Sequence, residues 1–364
     1  MRFNKISIIA ALVFVFAACK KDKDPVFIIP PSEGTQIQLG GIAGSEAGSS
    51  AGNSVYLDLS SATATPVKRS GWDLAFYCGN EFRVAINNTT GAAAKVLTKN
   101  DLKDVDAADT VGLTLAIDPF NPGPGDFAYF DNLDGSVSGT VIPEVSATDD
   151  ANKVVIINRG TGGGVTGRPW IKMRVLRNGD NGYTVQFANI RAGNFKTVQV
   201  SKDNAFHYVL FSFEGGKVLT NGQPEKNRWD LVWSYSLYQT QVPIGTPPVL
   251  TLVPYNFADM IAVNNLSNVQ VKEKTYADAA TAASAYTAFN KDSVNAPANT
   301  LVPDRWTIGF GWRSTNPPTG VNKNRFYIIK DPAGNYYKFK CVAMGSGGDG
   351  GTRGKPEFKY ELIK

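Results

Sequence analysis

Histidine is nearly absent from this sequence: His207 is the one residue of its kind in 364. A catalytic relay needs an imidazole or an equivalent base beside its nucleophile, and zinc sites draw on several Cys and His ligands. With one histidine and three cysteines, both chemistries have little to build on. Charge is also sparse, at 19% of residues, with 37 Lys and Arg against 32 Asp and Glu. So small and scattered an excess leaves no footprint for nucleic acid. Long apolar runs are missing too. Crossing a bilayer as a helix takes about 20 residues, and Ile6 to Ala18 offers 13. What is present is 11% aromatic residues and 36 glycines, the composition of a folded, strand-and-turn-rich chain. The length exceeds the roughly 100–200 residues of one domain, so two modules are expected. Composition favours a binding or structural protein over an enzyme.

The amino terminus carries an export signal. Arg2 and Lys5 precede the apolar run, which fits the core of a signal peptide. The run ends F-A-A-C, with Ala17 and Ala18 directly before Cys19, in the manner of a bacterial lipobox. We expect residues 1–18 to be removed and Cys19 to be acylated. That would anchor the protein to a membrane without a span, since each buried CH₂ contributes about 0.8 kcal/mol. Lys20 to Pro31 mixes charges and prolines, so 19–36 reads as an extended tether. Cys78 and Cys341 remain; by strand parity each shares a face with apolar neighbours, and a bridge between them is left open.

The rest of the chain reads as a duplication. G-W-D-L-A-F at Gly71–Phe76 is echoed by R-W-D-L-V-W at Arg228–Trp233. Val55–Leu59 matches Tyr208–Phe213, and V-A-I-N-N at Val84 matches I-A-V-N-N at Ile261. Asn152–Ile157 matches Asn324–Ile329, followed in each copy by a cationic strand, from Ile171 and Tyr337, and a closing strand, from Tyr183 and Glu357. Nearly every element alternates with period two between turn residues, which predicts a mainly β protein of two tandem antiparallel modules, 37–202 and 203–364. In the strand from Ile171, Ile171, Met173 and Val175 are expected to face the core while Lys172 and Arg174 face water. One short helix is expected over 276–289, with Thr275 as its N-cap.

No catalytic constellation emerges. Trp72 and Trp229 read as core anchors, and Asp73 and Asp230 as turn or cap residues, since a catalytic carboxylate pair would have to bridge two modules. Gly160–Arg168 contains a formal G-x-G-x-x-G but leads into another strand rather than a helix, so it reads as a hairpin loop near a ligand mouth. D-N-L-D-G at Asp131 lacks the spaced carboxylates of a calcium loop and reads as a turn. Tyrosines and tryptophans are numerous enough to line a cleft.

Taken together, several motifs resemble the HmuY family of β-rich surface lipoproteins. They are the lipoprotein signal, W-D-L-A-F, the glycine-rich loop and F-Y-I-I-K-D-P-A-G-N-Y-Y-K-F-K from Phe326. The second module matches best, in Y-V-L-F-S-F-E-G-G-K-V from Tyr208 and N-R-W-D-L-V-W from Asn227. The resemblance implies HmuY-like β modules in a non-enzymatic, haem-capturing protein on the outer membrane, facing the cell surface or periplasm and serving a TonB-dependent receptor. It also implies haem iron held between two axial side chains, histidine or methionine; His207 and Met344 are the candidates here. The competing reading is an adhesion or glycan-binding module that uses exposed aromatics as stacking platforms.

Overall fold

The computed structural model describes residues 30–364, of which Pro31–Lys364 form one compact unit. The signal peptide, Cys19 and most of the tether lie outside the described residues. The tether stops short of residue 36, because Gly34–Gln38 is already an edge strand. In chain order the first strands are β1 (Gly34–Gln38), β2 (Asn53–Asp58), β3 (Thr63–Lys68), β4 (Leu74–Tyr77), β5 (Val84–Ile86), β6 (Ala93–Val96), β7 (Val155–Asn158), β8 (Ile171–Arg177), β9 (Gly182–Asn189) and β10 (Lys196–Ser201). The chain continues with β11 (Tyr208–Ser212), β12 (Lys217–Val218), β13 (Leu231–Ile244), β14 (Val249–Val263), β15 (Gln270–Thr275), β16 (Arg313–Ser314), β17 (Gly320–Val321), β18 (Arg325–Lys330), β19 (Tyr336–Ala343) and β20 (Glu357–Leu362).

These strands form two five-stranded sheets, β10-β9-β8-β7-β6 and β1-β20-β19-β18-β15. Two four-stranded sheets run β12-β11-β4-β5 and β3-β2-β13-β14, and β16 pairs with β17 separately. Matching each strand to its repeat partner makes the two five-stranded orders identical, and likewise the two four-stranded ones. Even the register is kept: Leu74 faces Phe211 and Ile86, as Leu231 faces Leu57 and Val263.

The junction at 202/203, however, does not separate two bodies. β2 hydrogen-bonds to β13 of the other repeat, and β11 to β4. One core accordingly draws on residues 74–213, while the other joins 39–59 to 231–360. The lobes are therefore approximately 69–228, and 31–68 with 229–364; the first is an insertion in the second. The physical cause is that the opening strands of each repeat find their hydrogen-bonding edge on the W-D-L strand of the other.

Each lobe packs a five-stranded sheet on a four-stranded one. Ile171, Met173 and Val175 face the core as their alternation requires. Their neighbour Lys172 does not face water. It is buried, with Nζ donating to the Val105 carbonyl at 2.5 Å, because the irregular segment after β6 covers that face with Leu102, Val105 and Leu115. The second lobe covers the equivalent face with helix α1 (Ala279–Ala288), whose Tyr286 packs on Phe326 and Ile328. The helix is shorter than 276–289, and Asp278 rather than Thr275 caps it, accepting from Thr281 N–H at 2.8 Å. Thr275 is still paired within β15. Gly179 and Gly334 adopt positive φ in the turns that join β8 to β9 and β18 to β19.

Candidate functional site

The two W-D-L motifs are structural clasps. Asp73 Oδ2 accepts from Phe213 N–H at 2.8 Å, and Asp230 Oδ2 accepts from Leu59 N–H at 2.7 Å. In each case the carboxylate holds the end of the strand donated by the other repeat. Buried Asn87 and Asn264 complete the clasps, donating through Nδ2 to the carbonyls of Trp72 and Trp229. The copies differ in charge balance. Asp73 receives a bidentate pair from Arg159, at 2.8 and 2.9 Å, and a third contact from Arg168. Among the described residues Asp230 has no such cation, and burial pushes its carboxyl up to about 8, with the Asp58 and Asp331 charges adding to the rise.

The glycine-rich loop is held from one side by a buried arginine. Arg69, fully buried, donates to the carbonyls of Gly162 and Gly163 at 3.0 Å each and lies over the Tyr235 ring. Burial lowers its guanidinium to about 10. Cys78 and Cys341 are free thiols, one in each lobe's core.

A cavity lies elsewhere, between the two four-stranded sheets. Their core-facing residues alternate with positions on the outer faces, and those outer faces look at each other. They carry small side chains: Ser54, Ala75, Ala85, Ser234 and Ala262. The space left is about 160 Å³. Trp229 and Tyr56, an edge-to-face pair with centroids 5.0 Å apart, form part of the wall. Trp72, Trp306 and Leu237 extend it.

Several polar groups reach this space. Asp131 lines it, but both carboxyl oxygens accept backbone N–H groups, from Ile86 and Val141 at 2.8 Å each. Burial still raises it to about 7. Arg305 lines the cavity with no hydrogen bond or ion pair from its guanidinium among the described residues; its contact is with the Trp306 ring at 5.3 Å. Gly135 makes room for it, since a Cβ there would sit 2.2 Å from Arg305 Cδ. Burial lowers the guanidinium below the ordinary arginine range, opposed by the Tyr208 and Tyr56 phenols and by Asp134. Burial also pushes Tyr56 up to about 12 and Tyr208 higher.

His207 and Met344 are not brought together. His207 lines the cavity, half-buried, with Nε2 2.7 Å from Ser267 Oγ. Ser267 donates its own proton to the Lys226 carbonyl, so His207 must be the donor through Nε2. Burial, with Lys226 nearby, holds its imidazole neutral, down at about 4. Met344 is sealed in the second lobe's core and absent from the cavity wall. Met260 is the methionine that shares the cavity with His207, and Met173 lies in the first core. Sites for drug-sized ligands start at about 300 Å³, so a porphyrin does not fit this cavity. The expected axial pair does not assemble. Among the described residues no group of three or more His, Cys, Asp or Glu side chains is placed to hold a metal ion.

The sequence reading missed Tyr56, Tyr208, Asp131 and Arg305. A signal was available for Tyr208: its strand, Tyr208–Ser212, carries no charge on the off-core face, as strands covered on both faces do. Arg305 lies on no strand and had no such marker.

A second aromatic feature lies beside the cavity. β13 and β14 run on as a hairpin of 14 and 15 residues, far beyond their repeat partners. Along it Tyr238, Tyr255 and Phe257 cluster with Trp306 and Phe310, Phe257 stacking on Phe310 at 5.0 Å. Phe310 is exposed and its partners half-buried. Among the described residues no helix is long and apolar enough to cross a membrane.

Compared with known proteins, residues 50–360 match the model of the family described as HmuY protein. No curated protein and no solved structure matches the chain.

Proposed function

Because the chain belongs to the HmuY family, we propose that it is a non-enzymatic capture protein for haem, exported and anchored through an acylated Cys19 at the outer membrane. There it would hand its cargo to a TonB-dependent receptor. The family's association with haem binding supports the ligand class. The committed state of the W-D-L aspartates supports binding over catalysis, since each is engaged in holding a strand.

The observation that carries the proposal is the aromatic platform on the β13–β14 hairpin. A porphyrin is a flat, largely apolar ring, and offset or edge contacts with aromatic rings stabilise such a ring by about 0.5–1.5 kcal/mol each. Five rings contact one another here on a partly exposed face beside the cavity. His207 and Met344 take no part, one being turned to Ser267 and the other sealed in a core.

Titrating haemin into Lys20–Lys364 and following the Soret band tests this. A saturable, shifted band that weakens at least tenfold in Phe257→Ala and Phe310→Ala, and is unchanged in His207→Ala, is expected. A broad, unsaturable response like that of free haemin would overturn the haem reading. The same platform suits sugar stacking, so retention on surface polysaccharide without a Soret change would establish the glycan-binding alternative.

A further inference from the structure

We infer that the cavity between the two four-stranded sheets is a second binding site, for a small organic anion: one carboxylate on a flat or branched apolar body of about benzene size. The inference stands independently of haem capture, since a porphyrin does not enter this space.

Three observations converge on it. First, the cavity has the volume of a small ring: about 160 Å³, where an apolar cavity of roughly 150 Å³ accommodates benzene. Its walls are Trp229, Tyr56 and small alanine and serine side chains, so the body of the ligand would meet apolar and aromatic surface.

Second, Arg305 is a cation without a counter-ion. Its guanidinium makes no hydrogen bond or ion pair among the described residues, and Asp134 acts on it only at longer range. Asp131, a carboxylate on the wall, is already held by two backbone N–H groups. A partly buried cation without a protein partner is open to an anion, and a carboxylate answers its planar fork with two parallel hydrogen bonds.

Third, the phenol groups of Tyr56 and Tyr208, which line the cavity together with Arg305, have no hydrogen-bond partner among the described residues. They are donors in their neutral form, as carboxylate recognition requires. Convergent, unpartnered polar groups in a small apolar cavity are the signature of a ligand site.

Calorimetric titration of the intact protein with benzoate, and with benzyl alcohol as its neutral counterpart, tests the inference. Benzoate should bind saturably and at least tenfold more tightly than benzyl alcohol. Arg305→Gln should lose that preference while keeping its near-UV circular dichroism, and Ala262→Leu, which fills the cavity from the β14 side, should lose both ligands. Equal binding of the two by the wild-type protein, undiminished benzoate binding in Arg305→Gln, or no binding of benzoate at millimolar concentration would each overturn it. Should Arg305→Gln fail to fold, the wild-type comparison and Ala262→Leu still decide.

Discussion

Asp73 and Asp230 occupy the same place in a repeated motif and bond the same backbone position, yet their charge environments are opposite. Asp73 lies between two arginines; Asp230 lies near two further carboxylates and, among the described residues, pairs with no cation. The sign of the pH dependence follows. Asp230 rises from an unfolded value near 4 to about 8 in the folded chain, so its contribution to stability is fully present below pH 4 and is lost as pH rises through 8. Urea unfolding should therefore show stability falling between about pH 4 and pH 8. Asp230→Asn should flatten that slope and raise stability at pH 9. Asp73→Asn should do the reverse at neutral pH, destabilising by about 3–5 kcal/mol because it strips the carboxylate from buried Arg159. Both aspartates were recognisable from the sequence as structural. The difference between them was not, because Arg159 and Arg168 lie some 90 residues along the chain from Asp73.

Among the elements, the glycine-rich loop shows how local sequence misleads. Three glycines in a row suggest freedom, but Arg69 and Tyr235 close over them. At Gly163, with φ of +64°, a Cβ would sit 2.6 Å from Arg69 Nη2 and 2.9 Å from the Tyr235 ring. At Gly179, with φ of +59°, nothing lies within 4 Å. Alanine at Gly179 should cost about 1 kcal/mol from backbone strain alone, and alanine at Gly163 about 2–3 kcal/mol, since it adds a clash. Chemical denaturation of the two variants side by side checks this; equal costs would mean the loop yields and the clamp is loose. The strands themselves were legible, because apolar residues at every second position can pack only one way. The length of the β13–β14 hairpin was not, since its distal half buries little and shows no core pattern: Val249 and Leu250 are about two-thirds exposed.

For the whole molecule, the exchange of opening strands decides which pieces fold. Residues 69–228 contain every strand of their two sheets and a complete core. Residues 37–202 lack β11 and β12 and leave the β4 edge unpaired, while β2 and β3 lose β13. The fragment 69–228 should give a cooperative thermal transition and dispersed amide signals; 37–202 should not. Co-expressed 31–202 and 203–364 should reassemble, since the missing strands then arrive in trans. A cooperative transition from 37–202 alone would contradict the interleaved architecture.

By itself the sequence determined the class of the protein. Alternation requires sheets, the six matched elements require a duplication, and the scarcity of histidine argues against His-based catalysis, all because these follow from spacing and composition along one strand at a time. The resemblance to HmuY was legible for the same reason, as its motifs are strand patterns. Only the tertiary structure decided which strand meets which edge, and with it where the lobes divide. It also decided that the faces opposite the cores would look at each other across a cavity, that Arg305 would enter it unpaired, and that His207 and Met344 would stay apart. Those outcomes depend on contacts between residues far apart in the chain, and local periodicity carries no information about which distant partner will satisfy a buried charge.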